Sequence, residues 1–275
     1  VPSLALLQQT LKDEWEAVGY GSGGTTYAHQ MEERSRQSMV RMALKDIADA
    51  MGDVDAFIAQ YDPKTRKVPK IAAEIAVRLL ASGRADDALG FIERAELDKS
   101  RWVPHEWQAA RMDVLEALGR NDEAQAFRLE CFQRSLDADH LRAYLKRLPD
   151  FEDIEAEERA MDHAMKHASL FTALQFFLAW PSISHAADLL IQRYHEIDGD
   201  RYEYLALAAE TLSERHPLAA TLALRAMIDF ALTKARSKRY GYAADHLSTC
   251  AELAGRIEDF GELETHDAYL ARLKT

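Results

Sequence analysis

The amino-acid sequence predicts an all-α protein built as a right-handed superhelical stack of antiparallel helical hairpins. Helix-forming residues dominate the 275-residue chain, and 48% of its residues are apolar, which is enough to bury a continuous core. Segments that alternate Val, Ile or Thr with polar residues, as strands do, are nearly absent. Amphipathic stretches instead follow one another, separated by breaks at Gly or Pro. These breaks lie at Gly52, Pro63, Gly83, Pro104, Gly119, Pro149, Pro181, Gly199 and Pro217.

The first predicted element is a helix over residues 3–18, with Ser3 as its N-cap and apolar side chains at helical spacing. Residues 19–26 contain four glycines and are too permissive for regular structure. A glycine-rich loop can hold a phosphate, but this one lacks a Gly-Lys-Ser/Thr ending and a preceding strand, so we interpret it as a linker. We therefore expect an N-terminal helix and loop over residues 1–31, and one helical repeat domain over residues 32–275.

Two neighbouring segments of the chain repeat each other. Seven residues of the first segment return as identical or similar residues thirty-six positions later, close to the ~34-residue period of tetratricopeptide repeats. The first set is Leu79, Gly83, Arg84, Asp86, Asp87, Ala88 and Phe91, and the second is Leu115, Gly119, Arg120, Asp122, Glu123, Ala124 and Phe127.

The repeated residues have mechanical roles in a helical hairpin. Gly83 and Gly119 stand where the end of a helix needs a positive φ, and the acidic pair after each glycine favours the first turn of the next helix. Ala88 and Ala124 are small where two helices approach closely. We therefore expect the hairpins 68–97 and 104–135 to superpose, and we interpret residues 47–58 as a weaker copy at the start of the array.

Helical periodicity continues after Leu148, although the glycine signature fades. We expect seven further helices in this part of the chain. They are predicted at about residues 153–167, 170–180, 184–196, 202–214, 217–236, 240–257 and 265–273.

The segments Gly83–Leu89 (GRADDAL) and Gly119–Gln125 (GRNDEAQ) resemble degenerate tetratricopeptide-like repeats. The chain over about residues 35–273 is also similar to an uncharacterised bacterial family related to the helical regions that follow SWIM zinc fingers. This resemblance implies a helical fold but no activity, and the zinc-finger spacing of Cys and His does not occur here. The stretches that carry it are residues 44–55, 140–149 and 239–247.

Composition narrows the classes of partner and compartment. A formal net charge of −12 disfavours nucleic acid and anionic membranes, because both require a concentrated basic face. The start at Val1 lacks the pattern of a signal peptide, and no apolar run is long enough to span a membrane. Cys131 and Cys250 lie in apolar helical settings, so we expect both to be reduced, buried and unligated in a cytoplasmic protein.

Some groups of polar residues allow both a chemical and a structural interpretation. His163 and His167 lie one helical turn apart and could face one metal ion, but Arg159 on the same stripe would repel it, so we expect no metal. Acidic pairs such as Asp86 and Asp87 could serve acid–base catalysis, but each stands in the first turn of a predicted helix. No nucleophile or cofactor motif occurs, and we expect no cofactor.

Three arginines are the first candidates for partner binding. In repeat arrays the first helix of each hairpin lines the concave face, and here those helices carry Arg78, Arg111 and Arg147. The apolar residues of these helices recur at i+4 and face the core, so the arginines could form a basic track for an acidic segment of a protein or peptide. The alternative is that they pair with nearby glutamates, which are Glu74, Glu106 and Glu116.

The second candidate is a basic and aromatic cluster within residues 234–242. It could bind an anion through Arg236, Lys238, Arg239 and Tyr240, or it could only complement the dipole at the end of the preceding helix. The leading hypothesis is therefore a non-enzymatic interaction module. Its rival is an enzyme or small-ligand-binding protein with a site near this cluster, and an enclosed pocket with convergent polar groups would favour the rival.

Overall fold

The computed structural model describes residues 27–98, 103–180 and 182–274. This part of the chain holds fourteen α-helices and no strand, which confirms the all-α class. The predicted helix 3–18 and the glycine-rich loop lie outside the described residues. Helix α1 begins at Tyr27, so it runs across the expected boundary between residues 31 and 32. The contacts divide the chain into two compact units, residues 1–127 and 128–275.

The first unit is centred on α3, which packs against the two helices that follow it. Its apolar core includes Phe57, Ile75, Leu79 and Trp107. A 3₁₀ turn at Thr65–Lys67 precedes α3, and α6 begins in this unit and ends in the second. The helices are α1 (Tyr27–Met51), α2 (Val54–Ala59), α3 (Pro69–Ala81), α4 (Ala85–Glu93), α5 (His105–Ala117) and α6 (Asn121–Ser135).

The predicted repeat appears in the helix boundaries of the first unit. Helix α5 begins and ends thirty-six residues after α3, and α6 begins thirty-six residues after α4. The joint after α3 is a Schellman motif: the N–H of Arg84 donates to Leu79 O at 2.8 Å, and that of Gly83 to Leu80 O at 2.9 Å. The same pair of hydrogen bonds closes α5 around Gly119.

Glycine is required at these joints by its backbone conformation. Gly83 and Gly119 have φ of +78° and +71°, as the sequence predicted, and Gly52 at the weaker copy has φ of +66°. A Cβ atom added at any of the three would meet no atom within 4 Å, so space does not explain the choice. The ends of α1, α3 and α5 in this unit therefore turn in the same way.

The second unit is centred on α12, which contacts α10, α11 and α13. Helix α12 is buried around most of its surface, as expected for a helix at the middle of a core. The seven helices predicted after residue 148 correspond to α8–α14. The helices are α7 (Ala138–Leu145), α8 (Glu152–Met165), α9 (Leu170–Ala179), α10 (Ile183–Gln192), α11 (Tyr202–Leu212), α12 (Pro217–Thr233), α13 (Tyr240–Ala254) and α14 (His266–Leu273).

Two features fix the surroundings of α12. Gly199 lies so close to it that an added Cβ would stand 2.0 Å from Ala226 O and 2.6 Å from the Phe230 Cβ. At its C-terminal end the chain repeats the Schellman hydrogen bonds of the first unit, with Arg236 N donating to Ala231 O at 2.9 Å. Here the residue at the glycine position is Ala235, with φ of +48°.

The two cysteines follow the prediction from their apolar settings. Cys131 and Cys250 are both buried and form no disulfide. Burial raises the pKa of the Cys250 thiol to about 11, so this group is a neutral thiol at physiological pH.

Candidate functional site

Arg78, the first arginine of the expected basic track, has its donors occupied within the first unit. Its Nη2 donates to Asp49 Oδ2 at 2.6 Å and its Nε to the other oxygen of that carboxylate. Its Nη1 donates to Glu74 O at 2.9 Å, and the guanidinium lies 3.7 Å from the centroid of the Phe57 ring. Arg78 thus joins α1, α2 and α3, which is a structural role.

The contacts of Arg78 change the pKa values of neighbouring side chains. The hydrogen bond from Arg78 lowers the pKa of Asp49 below its usual range. The Glu74 carboxylate, one of the expected partners, instead accepts a hydrogen bond from the Tyr61 hydroxyl at 3.0 Å. Burial and this carboxylate raise the pKa of Tyr61 to about 12. At neutral pH Asp49 and Arg78 are therefore charged and paired, and Tyr61 is a neutral phenol.

The other two arginines have different surroundings. The Arg111 guanidinium lies 4.5 Å from the Phe127 ring centroid and 5.5 Å from that of Trp107. Arg147 belongs to the second unit, where its Nη1 donates to Ala143 O at 3.0 Å. Arg78 and Arg111 share the first unit and Arg147 does not, so a continuous basic track stays a prediction.

The predicted anion cluster lies at the end of α12. Arg236 and Lys238 are exposed, and together with Arg239 they line an open groove that also includes Asp200. Arg239 pairs with Asp200 through Nη1 at 2.9 Å, and Tyr240, which is 43% exposed, does not line the groove. The structure therefore brings three of the four predicted residues together, but one of the three cations is already neutralised.

A cavity of about 610 Å³ lies beside α12 in the second unit. Its lining combines apolar side chains with charged groups from four segments, which are residues 194–199, 222–234, 262–264 and 272. Lys234 also lines this cavity, and it is the only residue of the ligand site predicted at 234–242 that does so. The lining residues are Tyr194, Ile197, Asp198, Gly199, Leu222, Arg225, Ala226, Asp229, Phe230, Thr233, Lys234, Glu262, Leu263, Glu264 and Arg272.

Arg225 is the unusual member of this lining. Its side chain is buried, with 6% of the residue exposed, and the guanidinium lies 4.5 Å from the centroid of the Tyr269 ring. Nη1 donates to Glu264 O at 2.7 Å, whereas the buried Nε and Nη2 have no hydrogen-bond partner in the described part of the chain. Desolvation lowers the pKa of Arg225, although an arginine stays charged at neutral pH.

The carboxylates near Arg225 are bound by other groups. Asp229 accepts hydrogen bonds from the Tyr269 hydroxyl at 2.9 Å and from Arg272 Nη2 at 3.1 Å. Arg272 Nε also binds both oxygens of Glu264, at 3.0 and 3.1 Å. These contacts raise the pKa of Arg272, while burial and Asp229 raise that of Tyr269. The network thus joins α12 to α14 without a carboxylate for Arg225.

Sequence reasoning missed this cavity, although one signal was available. Arg225 and Asp229 are the only charged residues in α12, where the other fifteen positions are uncharged. Two charges one turn apart on an otherwise apolar central helix have to be buried or to line an opening. In the structure the two side chains bind different groups: Arg225 donates to Glu264 O, and Asp229 accepts from Tyr269 and Arg272.

The histidine pair considered for metal binding contacts the backbone. His163 Nε2 lies 2.9 Å from Gln133 O, and His167 Nδ1 accepts from Ser169 N at 3.1 Å. Within residues 27–98, 103–180 and 182–274, no group of three or more His, Cys, Asp or Glu side chains is placed to hold a metal ion.

None of the helices described here combines the length and the apolar character needed to cross a bilayer. No curated protein and no solved structure gives a significant match to this sequence. One family model does match, over residues 5–275, and its description is a family of unknown function, DUF6880. Because the match covers nearly the whole sequence, the chain belongs to the DUF6880 family.

Proposed function

We propose that this chain is a non-enzymatic interaction module that binds a protein or peptide partner in the bacterial cytoplasm. In this proposal its hairpins stack as a right-handed, tetratricopeptide-like superhelix. The observation that carries it is the helix–glycine–helix joint, which recurs at Gly52, Gly83 and Gly119 with the same backbone conformation. Equivalent joints favour equivalent hairpin angles, and hairpins stacked at a constant angle present an extended surface to a partner.

The surface we propose for an acidic segment is centred on Arg111. Arg78 is a weaker choice, because Asp49 and Glu74 O already occupy its donors. The described residues offer Arg111 aromatic rings and no carboxylate within ion-pair distance. A guanidinium whose neighbours are aromatic rings keeps its donors available to an incoming carboxylate. Opposite charge on the partner would also speed its encounter with this site.

Binding of a small ligand is a second candidate function, and the cavity beside α12 supports it. Arg225, Asp229 and Arg272 converge on this cavity from two helices. Convergent polar groups in a pocket that also has an apolar wall are typical of ligand sites. A scaffold that only presents a surface to a partner does not need polar side chains that converge on a cavity.

The interaction module can be tested by affinity capture from the native cell with three forms of the tagged chain. These are the wild type, Arg111→Glu, and Arg159→Glu as a control with the same charge change on an exposed part of α8. We expect a partner to be recovered with the wild type and the control. Recovery with Arg111→Glu should fall about tenfold or more, at an unchanged melting temperature. Equal recovery with all three forms would remove Arg111 from the proposal, and the absence of any specific partner would contradict the module itself.

A further inference from the structure

Arg225 presents an energetic problem that the folded chain does not solve by itself. A buried guanidinium loses its hydration, and this cost is recovered only when carboxylates or carbonyl groups take its N–H groups. Glu264 O takes Nη1, but Nε and Nη2 are buried and unpaired in the described residues. The contact with the Tyr269 ring offsets part of the cost and leaves the hydrogen-bonding requirement of these two atoms unmet.

The unpaired atoms form the edge of the guanidinium that binds carboxylates elsewhere in this protein. Arg120 donates from Nε and Nη2 to the two oxygens of Glu123, at 2.6 Å each. Arg193 uses the same two atoms on Glu196, and Arg78 uses them on Asp49. This edge holds two parallel N–H groups at the spacing of a carboxylate. The geometry therefore identifies the group that Arg225 is suited to bind.

Within residues 27–98, 103–180 and 182–274, no carboxylate forms a hydrogen bond with this edge. Arg272 and Tyr269 bind Asp229, and Arg272 binds both oxygens of Glu264. The Cys250 thiol, which is electrostatically coupled to Arg225, is kept neutral by a pKa of about 11. A carboxylate for Arg225 would therefore have to come from outside the part of the chain that the structure describes.

The rest of the cavity lining indicates what the remainder of a carboxylate ligand should look like. Ile197, Leu222, Phe230 and Leu263 give it an apolar wall, and its volume of about 610 Å³ lies within the range of small-molecule sites. The lining holds four carboxylates and three cations, and two of the carboxylates, Asp198 and Glu262, are exposed. A ligand with one negative charge is thus favoured over a doubly charged phosphate, which these acids would repel.

We propose that the cavity beside α12 binds a small monocarboxylate with an apolar body, whose two oxygens accept hydrogen bonds from Nε and Nη2 of Arg225. The apolar body lies against Leu222 and Phe230, which adds the free energy of hydrophobic burial. This site is independent of the proposed partner surface at Arg111, which belongs to the other unit.

Access to Arg225 requires a small local movement. Nε and Nη2 are shielded from solvent, so neighbouring groups have to shift before a ligand reaches them. The segment 260–264 is suited to this movement, because it lies between α13 and α14 and holds Arg225 through one hydrogen bond from Nη1. Its Gly261, with φ of +54°, also lacks the side chain that restricts backbone rotation.

The proposal can be tested by thermal unfolding of the full chain at constant ionic strength with four sodium carboxylates: acetate, butyrate, hexanoate and 3-phenylpropionate. We expect the melting temperature to rise with the larger carboxylates, because they bury more apolar surface. Phenethylammonium, which has the apolar body without the carboxylate, and inorganic phosphate should give no such rise.

Variants of Arg225 give the decisive comparison. Arg225→Met removes the guanidinium, and Arg225→Lys keeps the charge but lacks the two-donor edge. We expect both to weaken binding of the best carboxylate by roughly tenfold or more, and Arg159→Met to bind it like the wild type. Circular dichroism without ligand would establish that the variants are folded. The proposal is overturned if none of the four carboxylates raises the melting temperature, or if folded Arg225→Met retains the wild-type affinity.

Discussion

The two units of this protein bury an arginine in different ways. In the first unit Arg78 lies against the Phe57 ring and binds Asp49 with two hydrogen bonds. In the second unit Arg225 lies against the Tyr269 ring, is more deeply buried, and forms no hydrogen bond with a carboxylate of the described residues. The comparison shows that a cation attracts a partner molecule only if the fold leaves its donors unused. The arginine that looked available in the sequence is occupied, and the one inside an apolar helix is not.

The two units also differ at a helix end with the same hydrogen bonds. The first unit places Gly83 at the left-handed position, and the second unit places Ala235 there. An L-residue with a side chain in this conformation has its Cβ close to a backbone carbonyl, which glycine avoids. Among the described residues, the second unit therefore contains a strained helix end and a partly unpaired arginine, and the first unit contains neither.

The largest expected effect comes from replacing each arginine with methionine. Arg78→Met leaves Asp49 without its hydrogen bonds and should lower the free energy of unfolding by about 2 kcal/mol. Arg225→Met removes a buried charge that no described carboxylate hydrogen-bonds and should raise the free energy of unfolding by about 1–2 kcal/mol. Urea unfolding at pH 7 measures both changes. A loss of stability in Arg225→Met as large as that in Arg78→Met would show that the two arginines are equally structural.

Smaller changes in stability, of opposite sign, are expected at the helix ends that contain Gly83 and Ala235. Gly83→Ala should destabilise the chain by about 1–2 kcal/mol, because alanine is disfavoured at positive φ. Ala235→Gly should stabilise it by about 1 kcal/mol for the same reason. The matched controls are Ala81→Gly and Ala231→Gly inside the helices, which should both destabilise. Changes of the same sign at residues 83 and 235 would contradict the conformational explanation.

The smallest expected effect is a pH dependence that belongs to the first unit. Arg78 lowers the pKa of Asp49 from its ordinary value near 3.8. A carboxylate whose pKa is lower in the folded state stabilises the fold above its unfolded pKa, and this stabilisation is lost as the pH falls through the folded pKa. The stability difference between the wild type and Arg78→Met should therefore narrow below about pH 4. Urea unfolding midpoints of both proteins at pH 7 and pH 3 would measure this narrowing. A stability difference that stays constant would mean that Arg78 stabilises the fold through its contact with Phe57 and not through Asp49.

Helices and joints could be predicted from the sequence because both depend on local chemistry. The apolar period places α8–α14 within a few residues of their ends, and Gly83 and Gly119 mark joints with positive φ. The joint at Ala235 escaped prediction, because the local rule looks for glycine or asparagine.

The partners of charged side chains could not be predicted, because they depend on packing between distant helices. Asp49 reaches Arg78 across twenty-nine residues, and Tyr269 reaches Asp229 across forty. Proximity in sequence suggested Glu74 for Arg78, but this glutamate accepts a hydrogen bond from Arg78 only at its backbone carbonyl, and its carboxylate acts on Arg78 through electrostatic attraction. The lesson for Arg225 is more specific: a charge on an all-apolar helix face should be treated as a candidate site before one on an exposed helix.

The close approach at Gly199 has a consequence for how the chain can evolve. At Gly83 and Gly119 the constraint is a torsion angle, and asparagine, which tolerates the left-handed conformation, is an acceptable substitute. At Gly199 the φ angle is not in that region, and the constraint is the absence of space next to Ala226 O. Selection can relax the first kind of constraint one residue at a time. It can relax the second only by moving the segment that forms one wall of the α12 cavity, so a change at residue 199 alters the shape of the cavity as well as the stability of the fold.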